Sequence, residues 1–133
     1  MTPVLLDTHL LLWAAEGSAA LPEPVRLLLD DPAQTILFSA VSIWEVAIKR
    51  RLEQATFTVE PDLLHTGLLQ SGYTELRINS RHATGVRRLE LIHKDPFDRL
   101  LVAQAMVDRL TLITSDEKVA QYSSDIRFHP REG

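Results

Sequence analysis

The chain has 133 residues, of which 45% are hydrophobic and 24% charged, a composition typical of one globular domain and a length too short for two substantial cores. It contains no cysteine, which excludes a disulfide framework, thiolate catalysis and cysteine-ligated zinc. Its formal net charge of -4, from 14 Lys and Arg against 18 Asp and Glu, at first argues against a nucleic-acid partner, whose usual footprint is a basic surface.

Strand-like apolar runs alternate along the chain with helical segments, several of which start at Pro, Asp or Glu. In chain order, the predicted elements are a strand over 3–7, a helix over 8–16, a helix over 21–31, a strand over 35–39, a helix over 42–54, a helix over 61–72, a strand over 73–78, a basic helix over 80–90, a helix over 96–109, a strand over 111–115, a short helix over 116–122 and an edge strand near 126–129. Strands separated by helices predict an α/β fold in a single domain over 1–133, with helices on both faces of a central, mainly parallel sheet of about four or five strands.

The apolar N-terminus does not have the pattern of an export signal. It lacks a basic leader, and Asp7 and His9 interrupt its apolar run. No uninterrupted apolar run in the sequence approaches the ~18 residues that span a membrane. We therefore expect a cytoplasmic protein with no membrane association.

Four carboxylates occupy equivalent places in the predicted elements. Asp7 ends the first strand, and Glu45 lies in the first turn of the helix after the second strand. Asp98 lies in the first turn of a buried helix, and Asp116 follows the strand before the last short helix. In open parallel sheets, strand carboxyl ends and the helix N-termini after them line one edge, where ligands bind. The four acids can therefore converge in one crevice.

Helix capping is the alternative explanation for each acid. Asp7 and Asp116 can cap the helices that follow them, and Ser42 with Glu45 has the spacing of a capping box. Asp95 before Pro96 has the same logic. Taken singly, each acid is better explained by capping. The set as a whole is not, because four unrelated caps would include Ser, Thr and Asn more evenly.

A divalent metal site is the chemistry that such a set of acids favours. Mg²⁺ and Mn²⁺ prefer carboxylate oxygens and water as ligands. Four crowded carboxylates without a cation would repel one another and raise their own pKa values. A bound metal removes that repulsion, attracts phosphate oxygens and can activate a water for attack on phosphorus.

The segment between Arg77 and Arg99 is locally basic, and setting the four acids aside brings the net charge of the whole chain from -4 to zero. Such a segment can follow a phosphate backbone towards the acids, although a solvated helix face explains any one of its arginines equally well. The candidate phosphate-binding residues are Arg81, Arg87, Arg88, Lys94 and Arg99.

The chain resembles the PIN-domain family and, within it, the VapC-type toxins of toxin–antitoxin pairs, specifically their DPFDR subgroup. Four segments that together span nearly the whole chain carry the resemblance: LLDTHLLLW, SAVSIWEVAIKRRL, IHKDPFDRLLVAQA and LITSDEKVAQY. The resemblance implies a PIN-like α/β/α sandwich and a metal-dependent endoribonuclease with one or two Mg²⁺ or Mn²⁺ ions. It maps the family's acidic ligands onto Asp7, Glu45, Asp98 and Asp116.

The resemblance also implies supporting roles for neighbours of these acids. Thr8 and Ser115 resemble hydroxyl residues that hydrogen-bond a carboxylate or a metal-bound water. Asp95 supports the site or caps its helix. Lys49, one turn after Glu45, is expected to pair with that carboxylate or to contact phosphate.

The expected reaction is attack by a metal-activated water on an RNA phosphodiester, which leaves a 3′-hydroxyl and a 5′-phosphate. Asp7, Asp98 and Asp116 are the principal candidate ligands, and Glu45 completes the set through a water or a second ion. The family further implies a tRNA or ribosomal RNA substrate, a homodimer, and a VapB-type antitoxin whose C-terminal segment lies across the active-site groove.

Other functional classes fit the sequence less well. Haloacid-dehalogenase-type phosphatases have a second Asp two residues after the Asp that ends the strand, and this chain has His9 at that position. Receiver domains want an acidic pair after the first strand, and LLDTH supplies one acid. A catalytically silent PIN-fold module that binds RNA or acts as a scaffold would be favoured by a missing acid. The hypothesis of catalysis by histidine without metal has less support than these, since the histidines are scattered along the sequence. His9 and His93 alone adjoin the acids.

Overall fold

A five-stranded sheet forms the centre of the molecule in the computed structural model, which describes residues 2–133. All neighbouring strands are parallel, in the order β3-β2-β1-β4-β5, which confirms the predicted α/β fold. The strands are β1 (Val4–Leu6), β2 (Ile36–Ser39), β3 (Thr74–Leu76), β4 (Thr111–Thr114) and β5 (Arg127–Phe128).

The helices between these strands cover both faces of the sheet. They are α1 (Thr8–Glu16), α2 (Glu23–Leu29), α3 (Ala40–Arg51), α4 (Pro61–Gln70), α5 (Ser80–Gly85) with a 3₁₀ turn over Val86–Arg88, α6 (Pro96–Asp108) and α7 (Glu117–Ala120). None of the helices within residues 2–133 combines the length and the apolar character needed to cross a membrane.

The core lies in two layers because strand side chains alternate between the faces. Leu6 of β1 packs with the residues of α1, α2 and α4 on one face, and Leu5 packs with α6 on the other. All three residues of β1 are almost completely buried, as expected for the central strand of a parallel sheet. Helix α3 contributes Val46 to the first layer and Val41 to the second, so it closes one end of both.

Helix α3 begins two residues earlier than the sequence pattern predicts. The N-cap is Ser39, whose hydroxyl accepts a hydrogen bond from the Val41 amide at 3.0 Å and lies 2.5 Å from Gln104 Oε1 of α6. The capping box predicted for Ser42 and Glu45 is therefore wrong. Both residues lie inside the helix, and Glu45 falls in its second turn instead of its first.

The chain order places a topological switch between β1 and β4. From β1 the chain adds β2 and then β3 on one side, and it returns to the other side of β1 with β4 and β5. The β1 and β4 carboxyl ends remain joined, since the Asp7 amide donates to the Ile113 carbonyl at 3.0 Å. A crevice outside such a switch is the usual ligand site of an open parallel sheet.

Replacement of a core leucine of α6 tests the packing of the second layer. Leu101 is 1% exposed, whereas Leu91 is 92% exposed and serves as the matched control. We expect Leu101→Ala to lower the free energy of unfolding by about 2–5 kcal/mol, because it removes buried methyl groups and leaves a cavity. Leu91→Ala should change it by less than about 0.5 kcal/mol. Urea denaturation followed by circular dichroism measures both, and equal effects would contradict this packing.

Candidate metal centre

Asp7 is fixed at the carboxyl end of β1 through both of its side-chain oxygens. Oδ1 accepts a hydrogen bond from the Leu10 amide at 3.1 Å, so Asp7 caps α1 as the capping hypothesis predicts. Oδ2 accepts hydrogen bonds from the Thr114 hydroxyl and from the Ser115 amide, the latter at 3.3 Å. The side chain therefore links β1 to the end of β4, and it is almost completely buried.

Asp116 stands beside this link at the start of α7. Its amide donates to the Thr114 hydroxyl at 3.0 Å, so a single threonine connects the two acids. Its Oδ1 accepts from the Lys118 amide at 2.8 Å, which caps α7. The side chain is 42% exposed, the most accessible carboxylate of the predicted set.

Two acids at the N-terminus of α6 have different roles: Asp95 caps the helix, and Asp98 belongs to the cluster of acids. Asp95 Oδ1 accepts from the amides of Phe97 and Asp98 at 2.8 and 3.2 Å, which confirms Asp95 as the cap of this helix. Asp98 lies in the first turn, with its side chain 18% exposed. The partial positive charge at the helix end favours both carboxylates there.

His93 brings Asp98 and Asp116 together. Its Nε2 lies 2.9 Å from Asp98 Oδ2 and 3.6 Å from Asp116 Oδ2. The three residues each offer one ligand atom, and these atoms lie within 4.8 Å of one another. Such a spacing allows all three to bind one cation.

Glu45 is enclosed between α1 and α3. Its Oε1 lies 2.6 Å from the Thr8 hydroxyl, which is also 2.9 Å from the Ser42 hydroxyl. Because the Thr8 hydroxyl has one proton, it donates to the carboxylate and accepts from Ser42. Glu45 Oε2 lies 2.5 Å from Lys49 Nζ, so the predicted ion pair with Lys49 is present.

Lys49 also joins the Glu45 side of the site to α6, since its Nζ lies 3.4 Å from Asp95 Oδ2. Burial by itself lowers the pKa of Lys49. The hydrogen bond to Glu45 and the charges of Glu45 and Asp95 act in the opposite direction and outweigh burial, so the pKa is raised. The side chain therefore stays protonated and offsets part of the negative charge.

Burial and the neighbouring negative charges have a large effect on the pKa of Asp98. Burial, followed by the charges of Asp95, Glu45, Asp7 and Asp116, raises the pKa of Asp98 from 3.8 to about 8. Burial likewise raises the pKa of Asp7 above its ordinary value. A divalent cation fits this donor set, because it would stabilise the ionised carboxylates that repel one another without it.

A cleft of about 800 Å³ opens beside Asp116 and His93. Its walls include His9 and Trp13 of α1, and Arg131 from the C-terminal segment. The His9 ring packs 5.9 Å from the ring of Trp13. The cleft gives a ligand a route to the exposed side of the metal centre.

The basic segment before α6 contains exposed cations, and one of its arginines is held by contacts within the fold. Four of its predicted phosphate-binding residues are exposed, namely Arg81, Arg87, Arg88 and Lys94. Arg99 is half-buried and donates to the carbonyls of Glu90 and Val86 and to the Tyr122 hydroxyl. These contacts commit the Arg99 side chain to holding the preceding loop.

Three site residues were absent from the predicted set, namely Ser42, His93 and Thr114. Ser42 precedes Glu45 by three residues on the same helix, a spacing that places both on one face. Thr114 ends a buried strand, where a polar residue indicates a specific partner. His93 lies in an irregular segment, and its only sequence signal is its nearness to Asp95 and Asp98.

Taken together, the fold and the centre define an α/β protein with a candidate metal site at the carboxyl edge of a parallel sheet. The family model of the PIN domain matches residues 4–124, and the chain belongs to this family. A search of curated proteins finds no significant match to the sequence.

Solved structures with similar folds include chains of two VapBC structures and a chain of FitAcB. A chain of VapBC from Salmonella typhimurium bound to DNA is 14% identical with a TM-score of 0.69, and the match covers 98% of each chain. A chain of VapBC2 from Rickettsia felis bound to a DNA fragment from their promoter is 13% identical with a TM-score of 0.68, over 97% of this chain and 98% of that one. A chain of FitAcB from Neisseria gonorrhoeae is 19% identical with a TM-score of 0.63, over 96% and 97%. Nearly the whole chain therefore has the fold of these proteins.

Removal of the Thr8 hydroxyl tests the enclosure of Glu45. We expect Thr8→Val to lower the free energy of unfolding by about 1–3 kcal/mol, because a buried carboxylate oxygen loses its donor. Thr66→Val changes an exposed threonine of α4 in the same way and is the matched control. Urea denaturation compares the two variants, and a Thr8→Val protein as stable as the control would contradict the hydrogen bond to Glu45.

The raised pKa of Asp98 predicts a pH dependence of stability in metal-free buffer. The folded protein keeps this carboxyl protonated up to about pH 8, whereas the unfolded chain releases its proton near 3.8. This contribution is therefore full below pH 3.8 and declines as the pH rises towards 8. Melting temperatures measured with EDTA from pH 4 to 9 should fall less steeply for Asp98→Asn than for the wild type. Asp125→Asn, at an exposed position, should follow the wild type, and parallel curves for all three would contradict the shift.

Proposed function

We propose that this protein is a metal-dependent endoribonuclease, the toxin of a VapC-type toxin–antitoxin pair. The observation that carries the proposal is the convergence of His93, Asp98 and Asp116 within 4.8 Å at the sheet edge. Asp7 and Glu45 lie close enough to raise the pKa of Asp98. Membership of the PIN domain family supports nuclease chemistry, and the fold shared with VapBC proteins supports the toxin assignment.

Asp98 and Asp116 would hold a Mg²⁺ or Mn²⁺ ion directly, and one or two ions fit the set. Asp7 and Glu45 already accept hydrogen bonds, but a carboxylate oxygen has more than one lone pair and can also serve an ion or its water. When bound, the ion supplies Lewis acidity towards a phosphate oxygen and lowers the pKa of a water.

The residues around Asp7 and Glu45 hold these carboxylates in place. Lys49 offsets the negative charge of Glu45 at one oxygen, while Thr8 fixes the other oxygen. Thr114 and the Ser115 amide hold Asp7 against β4. Fixed ligands of this kind need little reorganisation when a phosphodiester arrives, which favours attack by water on phosphorus. The products would carry a 3′-hydroxyl and a 5′-phosphate.

The substrate in this proposal is a structured RNA, tRNA or ribosomal RNA. Exposed cations in the basic segment between Arg77 and Arg99 support contact with its phosphates. These candidates are Arg81, Arg87, Arg88 and Lys94. The partner is a VapB-type antitoxin, supported by the VapBC composition of the fold neighbours. The proposed toxin is a cytoplasmic homodimer.

Cleavage of RNA by the purified, antitoxin-free protein tests this function. Incubation with 5′-labelled total tRNA and ribosomal RNA in Mg²⁺ or Mn²⁺ should give discrete fragments, and EDTA should abolish them. Asp98→Asn should cut at least about 100-fold more slowly, because it removes a charged ligand of the ion. Asp125→Asn keeps the same loss of charge at an exposed site and should cut at the wild-type rate.

Two results would contradict the proposal. Cleavage that persists in EDTA or in Asp98→Asn would point to a contaminating nuclease. A folded wild-type protein that binds metal and RNA but cuts neither RNA would favour the silent PIN-fold module instead.

A further inference from the structure

The candidate centre contains a nitrogen donor among its oxygen donors. Within residues 2–133, the one group of three or more potential ligands with this close spacing consists of His93, Asp98 and Asp116. The Nε2 atom of His93 lies close to both acids, at 2.9 Å from Asp98 Oδ2 and 3.6 Å from Asp116 Oδ2. Two carboxylates and one imidazole form a different donor set from carboxylates alone.

The position of His93 is fixed by contacts outside the acidic cluster. Its amide donates to the Tyr122 hydroxyl at 2.9 Å, and that hydroxyl lies 3.2 Å from the His93 carbonyl. Arg99 also donates to the Tyr122 hydroxyl, at 3.1 Å, and to the carbonyls of Val86 and Glu90. The backbone that carries the imidazole is therefore held by α6 and by the segment after α7. This support would keep the ring in place when the acids exchange partners.

Donor chemistry then determines which ions the centre prefers. Mg²⁺ takes oxygen ligands and keeps much of its water, so an imidazole adds little to its binding. First-row transition ions accept imidazole readily, with affinity that rises from Mn²⁺ through Co²⁺ to Ni²⁺. A nitrogen ligand between two carboxylates therefore increases the affinity of these ions relative to Mg²⁺.

We propose that His93 is a metal ligand, joined with Asp98 and Asp116, and that it gives the centre a preference for first-row transition ions over Mg²⁺. This inference rests on the metal centre of the proposed function, but it concerns the binding of the ion and not the cleavage of RNA. The alternative role of His93 is that of a charge partner, in which a protonated ring offsets the two acids without binding metal.

Metal binding by the isolated protein distinguishes these roles. Isothermal titration calorimetry with MnCl₂, CoCl₂ and MgCl₂ gives three dissociation constants for the wild type and for His93→Asn. We expect the variant to lose at least about tenfold in affinity for Co²⁺ and Mn²⁺, and less than about threefold for Mg²⁺. The ratio of transition-ion to Mg²⁺ affinity falls accordingly.

His9→Asn is the matched control, because it removes another imidazole from the wall of the same cleft. The His9 ring packs against Trp13 and Phe57, with centroids 5.9 and 5.6 Å away. This variant should keep the wild-type preference among ions.

A spectroscopic measurement tests directly whether an imidazole binds the ion. Pulsed electron paramagnetic resonance of the Mn²⁺ complex should detect coupling to a ¹⁴N nucleus, and the coupling should be absent in His93→Asn. If that variant does not fold, His93→Gln takes its place, and a wild-type spectrum without the coupling contradicts the inference without any variant.

Four outcomes would overturn the inference. Wild-type spectra without nitrogen coupling would show that no imidazole binds the ion. An unchanged affinity ratio in His93→Asn, or tighter binding of every ion alike, would identify His93 as a charge partner only. In these cases the proposed nuclease would still stand, whereas a wild type that binds none of the ions would overturn the proposed function as well.

Discussion

Mutual repulsion among carboxylates at one edge of a parallel sheet is the constraint on which the rest of this structure depends. Burial and four neighbouring acids raise the pKa of Asp98 to about 8. The chain offsets the remaining charge locally, through Lys49 at 2.5 Å from Glu45 and through hydroxyl and amide donors at Asp7. Within residues 2–133, every buried side-chain nitrogen and oxygen has a hydrogen-bond partner. The buried polar atoms of the site therefore have hydrogen-bond partners within the protein, while the negative charge of the acids still favours a cation.

Capping and clustering are not alternatives in this protein, because the same side chains do both. A carboxylate has two oxygens, and Asp7, Asp95 and Asp116 each use Oδ1 to cap a helix. Their Oδ2 atoms contact Thr114 and Ser115, Lys49 and His93, respectively. Helix N-termini therefore determine where the acids stand, and the parallel sheet brings those N-termini to one edge.

The sequence predicted the strands, the helices and the convergence of the acids, because these follow from apolar periodicity and from the common direction of parallel strands. The predicted start of α3 was wrong, since Ser39 and Ser42 are both suitable N-cap residues when only the local sequence is considered. The contact of Ser39 with Gln104, 65 residues away, favours the earlier start. His93 lies in a segment without periodicity, and its place depends on Tyr122, 29 residues further along the chain. Such contacts exist only once the sheet has assembled, so local patterns carry no signal for them.

The apolar layers of this fold tolerate sequence change better than the carboxyl edge of the sheet does. Buried strands require apolar residues of suitable size, and many combinations fill the two layers equally well. The similar chains share only 13 to 19% identity with this one, yet they match its fold over nearly its whole length. The carboxyl edge is less permissive, because each acid there must fit a helix N-terminus, a hydrogen-bond donor and its charged neighbours. Replacing Glu45 alone would leave Lys49 without its carboxylate partner at 2.5 Å and the Thr8 hydroxyl without its acceptor. A change at this edge therefore affects several partners at once, whereas a change in the layers affects packing alone.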